Sequence, residues 1–138
     1  MIFKTLFLIL LLTSATYSKT INDIREEIPY YPNSIRYKMD KKLNAPIDAI
    51  LTNSDFQESI KFYYSNMIKR GWKLIFPNNI EYRIWIEALN SDKSKNPVIT
   101  LIFRKEKYNC YITINTFKNN NNKYYYQTII SIYINMIE

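Results

Sequence analysis

The sequence predicts an α+β domain, in which an antiparallel sheet of about five to six strands carries one long helix packed on one face. Residues 54–70 repeat apolar side chains at the spacing of an amphipathic helix. Most of the flanking segments alternate apolar and polar residues with a period of two, which is typical of strands with one covered face. Short polar connections between the later strands favour hairpins, and hairpins join antiparallel strands.

The helix at residues 54–70 carries start and stop signals. Ser54 is predicted to cap it, with Gln57 completing a capping box. Gly71, the single glycine of the chain, stands where a left-handed residue commonly ends a helix. That ending would bring Trp72 back onto Met67. The apolar stripe of the helix consists of Phe56, Ile60, Tyr63 and Met67.

Strands are predicted on both sides of this helix from alternating or β-branched residues, at 35–39, 47–51, 72–76, 98–104, 108–117 and 124–136. Residues 82–89 fit either an extended or a helical structure, and a strand is favoured. Residues 19–27 form an irregular or short helical lead-in, and residues 118–123 form an asparagine-rich hairpin loop. In the last strand, alternation points Ser131, Tyr133 and Asn135 outward, away from the core.

The first eighteen residues have the pattern of a secretory signal peptide. Lys4 precedes an unbroken apolar run at residues 6–12, which is far shorter than the ~20 residues of a membrane-spanning helix. Small residues then favour cleavage after Ser18, with Ala15 as a second choice. A buried N-terminal helix and an uncleaved anchor are the alternatives. The expected organisation is therefore a signal peptide at 1–18 and a single α+β domain at 19–138.

Composition removes several classes of chemistry. The chain has no histidine, which excludes Ser-His-Asp and Cys-His catalysis and histidine-based zinc sites. It has one cysteine, Cys110, so neither an internal disulfide nor an all-cysteine zinc site can form. Cys110 is in phase with buried strand positions and is expected to be a buried thiol, with an intermolecular bridge as the alternative. The net charge of +7 suits either a solubilising surface or an anionic partner.

Several motifs resemble a group of small exported bacterial proteins and lipoproteins of unknown function. Residues 28–34, IPYYPNS, are similar to the group's IP-x-YP-G-[AS] opening, although Asn33 stands where glycine is usual. The group's helix signature is matched by Thr52, Asp55, Phe62-Tyr63 and Gly71-Trp72. Residues 101–105 and 111–114 resemble its closing strands, whereas the long stretch at 78–96 departs from it. The resemblance implies a shared fold and brings no catalytic residue with it.

These observations predict an exported protein, periplasmic or secreted, that acts as a non-enzymatic binding or assembly module of the cell envelope. No cofactor, metal or catalytic set is expected. The expected partner is an envelope protein or an anionic envelope component rather than nucleic acid. The candidate binding surface combines aromatic and basic residues: Tyr30, Tyr31, Phe117, Lys118, Lys123, Tyr124 and Tyr126. A small glycan hydrolase that uses carboxylates alone and a structural subunit of an envelope assembly are the alternatives.

Overall fold

The computed structural model describes residues 19–38, 47–91, 97–117 and 127–137. Its α-helices are α1 (Ile21–Glu26), α2 (Phe56–Lys69) and α3 (Asn79–Ser91). Its strands are β1 (Ile35–Lys38), β2 (Ile47–Thr52), β3 (Lys73–Phe76), β4 (Val98–Lys105), β5 (Tyr108–Thr116) and β6 (Thr128–Met136). The predicted α+β class and antiparallel sheet are confirmed, and the sheet has six strands. Where one long helix was predicted, the described residues form three helices, two of them of 14 and 13 residues.

The strands follow the order β1-β2-β6-β5-β4-β3, and every neighbouring pair is antiparallel. Four of these pairs join strands that are consecutive in sequence, and one of the four, β3 with β4, has α3 in its connection. The fifth joins β2 to β6, so the last strand of the chain lies between the N-terminal hairpin and the rest of the sheet. This long-range pairing makes one continuous sheet from segments on both sides of α2.

The N-terminus of α2 differs from the prediction by one residue. Asp55, not Ser54, is the N-cap, and its side chain accepts a hydrogen bond of 2.8 Å from the backbone N–H of Glu58. Ser54 is instead buried, with its hydroxyl 2.5 Å from that of Ser59. The chain reaches the helix from a strand that carries Ser54 inward, so the more exposed Asp55 takes the capping position.

The C-terminus of α2 ends as predicted. Gly71 has a φ of 87°, which L side chains adopt only with strain. The Gly71 N–H donates to the carbonyl of Ile68 at 3.0 Å, and the Trp72 N–H donates to the carbonyl of Met67 at 3.0 Å. Together these two hydrogen bonds form a Schellman motif. Trp72 and Met67 are both buried, as are the other predicted stripe residues, Phe56, Ile60 and Tyr63.

The prediction of a strand at residues 82–89 was wrong, because these residues lie within α3. Asn78, which follows Pro77, caps this helix. Its side-chain oxygen accepts hydrogen bonds from the N–H groups of Ile80 at 3.1 Å and Glu81 at 2.8 Å. The Glu81 carboxylate accepts a hydrogen bond from the Asn78 N–H in return, at 3.0 Å. An asparagine followed three residues later by a glutamate is a capping box, and that signal outweighs the β-propensity of the segment.

The helical lead-in is confirmed as α1, which Thr20 caps, and Ile24 and Ile28 are buried beneath it. The turn that follows places Asn33 at a φ of 54°, which explains why glycine also suits this position. Cys110 is completely buried, as predicted, and burial raises the pKa of its thiol far above the ordinary value. The predicted loop at 118–123 and the signal segment at 1–18 lie outside the described residues.

Candidate functional site: the open face of the sheet

The two faces of the sheet differ in what covers them. Buried side chains of β4, β5 and β6 alternate along each strand and point to the face on which the helices pack. Their neighbours point to the opposite face and are mostly half-buried. No helix of the described residues lies over this second face, which we call the open face.

Strand register arranges the centre of the open face as three rows of three side chains. The hydroxyl row is Thr100, Thr113 and Ser131, and the polar row is Arg104, Asn109 and Asn135. Between them lies the aromatic row, which consists of Tyr111 and Tyr133 with the aliphatic Ile102 beside them. Strands lie about 4.8 Å apart, and same-face residues along one strand about 6.8 Å apart. The nine side chains therefore form a grid of roughly 10 by 14 Å on a sheet.

Within the grid, side chains hold each other in place across strands. The hydroxyls of Thr100 and Thr113 lie 2.9 Å apart and share a hydrogen bond. The rings of Tyr111 and Tyr133 are in contact, with centroids 5.6 Å apart and planes tilted by 47°. These cross-strand contacts limit side-chain motion, so a ligand on this face would meet an ordered surface.

The polar row is the charged part of the open face. Arg104 is exposed, and its Nε donates a hydrogen bond of 3.1 Å to the amide oxygen of Asn109. That bond orients the guanidinium and leaves its terminal Nη groups without a partner among the described residues. On the neighbouring strand, exposed Lys73 pairs with Arg104 and extends the row. No grid residue is acidic, so the open face is cationic at this end.

Two amides of the open face are incompletely satisfied. The side-chain oxygens of Asn115 and Asn135 are buried without a hydrogen-bond donor among the described residues. Leaving a buried acceptor unpaired costs about 1–3 kcal/mol. These two oxygens are therefore polar groups of this face that the fold itself leaves unsatisfied.

A second polar cluster lies on the helix-covered face, at the β1–β2 end of the sheet. Asp48 is 2% exposed and accepts hydrogen bonds from Arg25, at 2.8 Å from its Nε, and from Arg36 at 3.0 Å. A second contact, from the Nη2 of Arg25, completes a bidentate pair. Arg36 also lies over the ring of Tyr30, 4.2 Å from the ring centroid.

The protonation of Asp48 follows from these contacts. Burial by itself raises the pKa of the carboxyl, but the hydrogen bonds and charges of Arg25 and Arg36 outweigh it and hold that pKa below its ordinary value. Asp48 is thus ionised at neutral pH, and both of its oxygens are occupied. The cluster joins α1 to β1 and β2, and it has no free carboxylate to act as a general acid or base.

The predicted binding surface is only partly within the described residues. Tyr30 is half-buried in the Asp48 cluster, and Tyr31 packs edge-on against Phe62, with centroids 4.9 Å apart. Phe117 follows the end of β5 and is 41% exposed. Tyr30 and Tyr31 thus contribute to packing at the α1 side of the molecule. The remaining predicted residues, Lys118, Lys123, Tyr124 and Tyr126, lie outside the described residues.

Sequence reasoning missed the aromatic and polar rows as a site. Proximity in sequence does not reveal it, because Phe103 and Tyr108, the aromatic residues nearest Arg104 along the chain, are buried toward the helices. The signal that could have found the site was period-two alternation, which correctly placed Tyr133 and Asn135 outward on β6. Without the register between strands, that alternation does not show which outward residues are neighbours.

Helix α3 presents a second apolar surface. Tyr82 stacks on Tyr64 of α2 with centroids 4.5 Å apart, which fixes one side of α3 to the core. Ile80 and Ile84 lie one turn apart on the opposite side and are 68% and 59% exposed. The helix is therefore apolar on two sides, and only one of them is covered by described residues.

No protein-family model, curated protein or solved structure matches this chain. Among the described residues, no group of acidic or cysteine side chains is arranged to hold a metal ion. The described helices are also too short or too polar to cross a bilayer. The open face is therefore the feature of this protein from which a function can be inferred.

Proposed function

We propose that this protein is an exported, non-enzymatic binding module of the bacterial cell envelope, and that it contacts its ligand through the open face. The observation that carries this proposal is the ordered grid of aromatic, hydroxyl and amide side chains on a sheet face that no described helix covers. Aromatic rings with polar groups beside them are common in binding surfaces because they combine apolar contact with directional hydrogen bonds.

Binding is better supported than hydrolysis. A hydrolase of this composition would need two carboxylates that converge on one substrate. The grid residues include none, and buried Asp48 is held between two arginines on the other face. The signal-peptide pattern and the resemblance to small exported bacterial proteins support the envelope as the place of action.

The predicted loop surface belongs to the same proposal. Phe117 directly follows β5, and its backbone N–H bonds the carbonyl of Gln127 at 2.6 Å, which holds the adjacent ends of β5 and β6 together. We expect Lys118 and Lys123 to add charge to the contact. Replacing both by glutamate should weaken binding, and unchanged affinity in a folded variant would remove this loop from the binding surface.

The open face can be tested by sedimentation of the purified protein with envelope material from the cells that produce it. The double variant Tyr111→Ala/Tyr133→Ala should lose most of the sedimented fraction, because each lost aromatic contact is worth about 0.5–1.5 kcal/mol. Ile84→Ser, which removes an exposed apolar side chain from α3, is the matched control and should sediment like the original protein. Far-UV circular dichroism establishes that each variant is folded.

Loss of sedimentation in the Tyr111/Tyr133 variant alone would support the open face. Equal sedimentation of all three proteins would overturn the assignment. Loss in Ile84→Ser alone would move the binding surface to α3.

Export has a separate test, which is the intact mass of the native protein in separated cell fractions. A mass that corresponds to residues 19–138 in the periplasmic or secreted fraction is expected. A full-length mass in the cytosol would contradict export, and a full-length mass in the membrane would show that the apolar segment is retained as an anchor.

A further inference from the structure

We infer that the ligand of the open face is an anionic polysaccharide, one whose sugar units carry carboxylates. This inference rests on the proposed function and adds the class of ligand. Three features of the open face carry it: its charge, the orientation of its arginine, and the order of its rows.

The charge of the open face selects for anions. Arg104 and Lys73 are directly paired on neighbouring strands, and both are exposed. Like charges on directly paired residues of one sheet face repel each other, and an acid beside them would offset that repulsion. No grid residue supplies one, so the missing negative charge is left for a ligand.

The orientation of Arg104 favours a carboxylate. Its Nε is occupied by the amide oxygen of Asn109 at 3.1 Å, which fixes the plane of the guanidinium. The terminal Nη groups find no partner among the described residues. A guanidinium held in this way offers parallel N–H donors, which match the two oxygens of a carboxylate.

The order of the rows suits a chain of sugars. The aromatic row lies between the polar row and the hydroxyl row, so Tyr111 and Tyr133 are flanked by Arg104 on one side and Thr113 on the other. Sugar rings have apolar C–H faces and a rim of hydroxyl groups. Tyrosine rings can contact the C–H faces, while threonine and serine hydroxyls both donate to and accept from sugar hydroxyls.

The same features disfavour the other occupants of a sheet face. A second copy of this chain packed face to face would bring two sets of Arg104 and Lys73 into one interface without a grid carboxylate to neutralise them. Single-stranded nucleic acid gains much of its affinity from many neutralised phosphates, and this face supplies two described cations. A polysaccharide with carboxylates needs fewer charges and more hydroxyl contacts.

The test is titration calorimetry of the purified protein with alginate oligosaccharides, whose sugar units carry carboxylates, compared with neutral dextran oligosaccharides of similar length. Alginate binding is expected, and it should weaken as salt rises because exposed charges are screened within about 8–10 Å. Arg104→Gln should weaken it roughly ten- to hundredfold, since it removes a charge-assisted pair. The affinity of Arg104→Lys for alginate should lie between those of Arg104→Gln and the original protein. Lysine keeps the positive charge but lacks the paired N–H donors of the guanidinium.

Arg83→Gln is the matched control, since it removes an exposed arginine from α3, and it should bind alginate with affinity close to that of the original protein. Equal, salt-independent affinity for dextran would overturn the requirement for an anion. Binding of oligodeoxythymidylate without binding of alginate would overturn the assignment of a polysaccharide as the ligand.

The outcomes also separate this inference from the proposed function. If alginate does not bind but envelope sedimentation still depends on Tyr111 and Tyr133, the ligand class is wrong and the open face remains the binding surface. If alginate does not bind and envelope sedimentation does not depend on these tyrosines, both proposals fail.

Discussion

Replacing Asp48 tests how the N-terminal segment is held to the sheet. The carboxylate is 2% exposed, whereas the side chains of Arg25 and Arg36 are 15% and 27% exposed. Asp48→Asn would keep the volume of the side chain but leave two guanidinium groups facing a neutral amide. Breaking a buried pair in this way costs about 3–5 kcal/mol, and partial hydration of the arginines places the expected loss near 3 kcal/mol.

The assay is urea unfolding followed by tryptophan fluorescence, to which the buried Trp72 contributes, together with far-UV circular dichroism. With a urea dependence of about 1–3 kcal/mol/M for a domain of this size, the midpoint should fall by roughly 1–3 M. The matched control is Glu87→Gln, an exposed carboxylate on α3, which should change stability by less than about 0.5 kcal/mol. A change of similar size in both variants would refute the reasoning.

The pH dependence of the same pair provides an independent check. The pKa of Asp48 is lowered in the folded protein below its ordinary value of 3.8. Its contribution to stability is therefore fully present above that ordinary value and is lost as the pH falls through the lower, folded pKa. The stability difference between the original protein and Asp48→Asn should be constant near neutral pH and shrink below about pH 4. A difference that grows as the pH falls would contradict the assignment.

Three further substitutions test local features of the fold by urea unfolding. Gly71→Ala should destabilise the protein by about 1–2 kcal/mol through its positive φ; the added Cβ would meet Lys105 only at ordinary contact distances of 3.7 and 3.8 Å, so a steric clash is not the cause. Asp55→Ala should destabilise the protein by about 0.5–2 kcal/mol, because it removes the N-cap of α2. Stability should be restored by Asp55→Ser, whose hydroxyl can cap the helix, and not by Asp55→Leu. Glu106→Gly should stabilise the protein by about 0.5–1 kcal/mol, because Glu106 has a φ of 54° in the β4–β5 turn and glycine adopts this conformation without strain. A destabilised variant would show that the Glu106 side chain contributes more to stability than its backbone strain costs.

The sequence by itself determined the features that depend on nearby residues. The end of α2 at Gly71 needs only a glycine at the right distance from the apolar stripe, and the burial of Cys110 follows from alternation within one strand. The same local evidence was present at Asn78 and Glu81, but the β-branched and aromatic residues that follow favoured a strand. The capping box and the packing of Tyr82 on Tyr64 stabilise this segment as helix α3 instead.

Only the tertiary structure decided which distant residues are neighbours. The pairing of β2 with β6 joins segments separated by most of the domain, and no local pattern specifies it. The Asp48 cluster depends on that packing, since Arg25, Arg36 and Asp48 come from a helix and two strands. The open face depends on register in the same way: alternation points Tyr111, Tyr133 and Arg104 outward, but hydrogen-bonded pairing of three strands aligns them into rows.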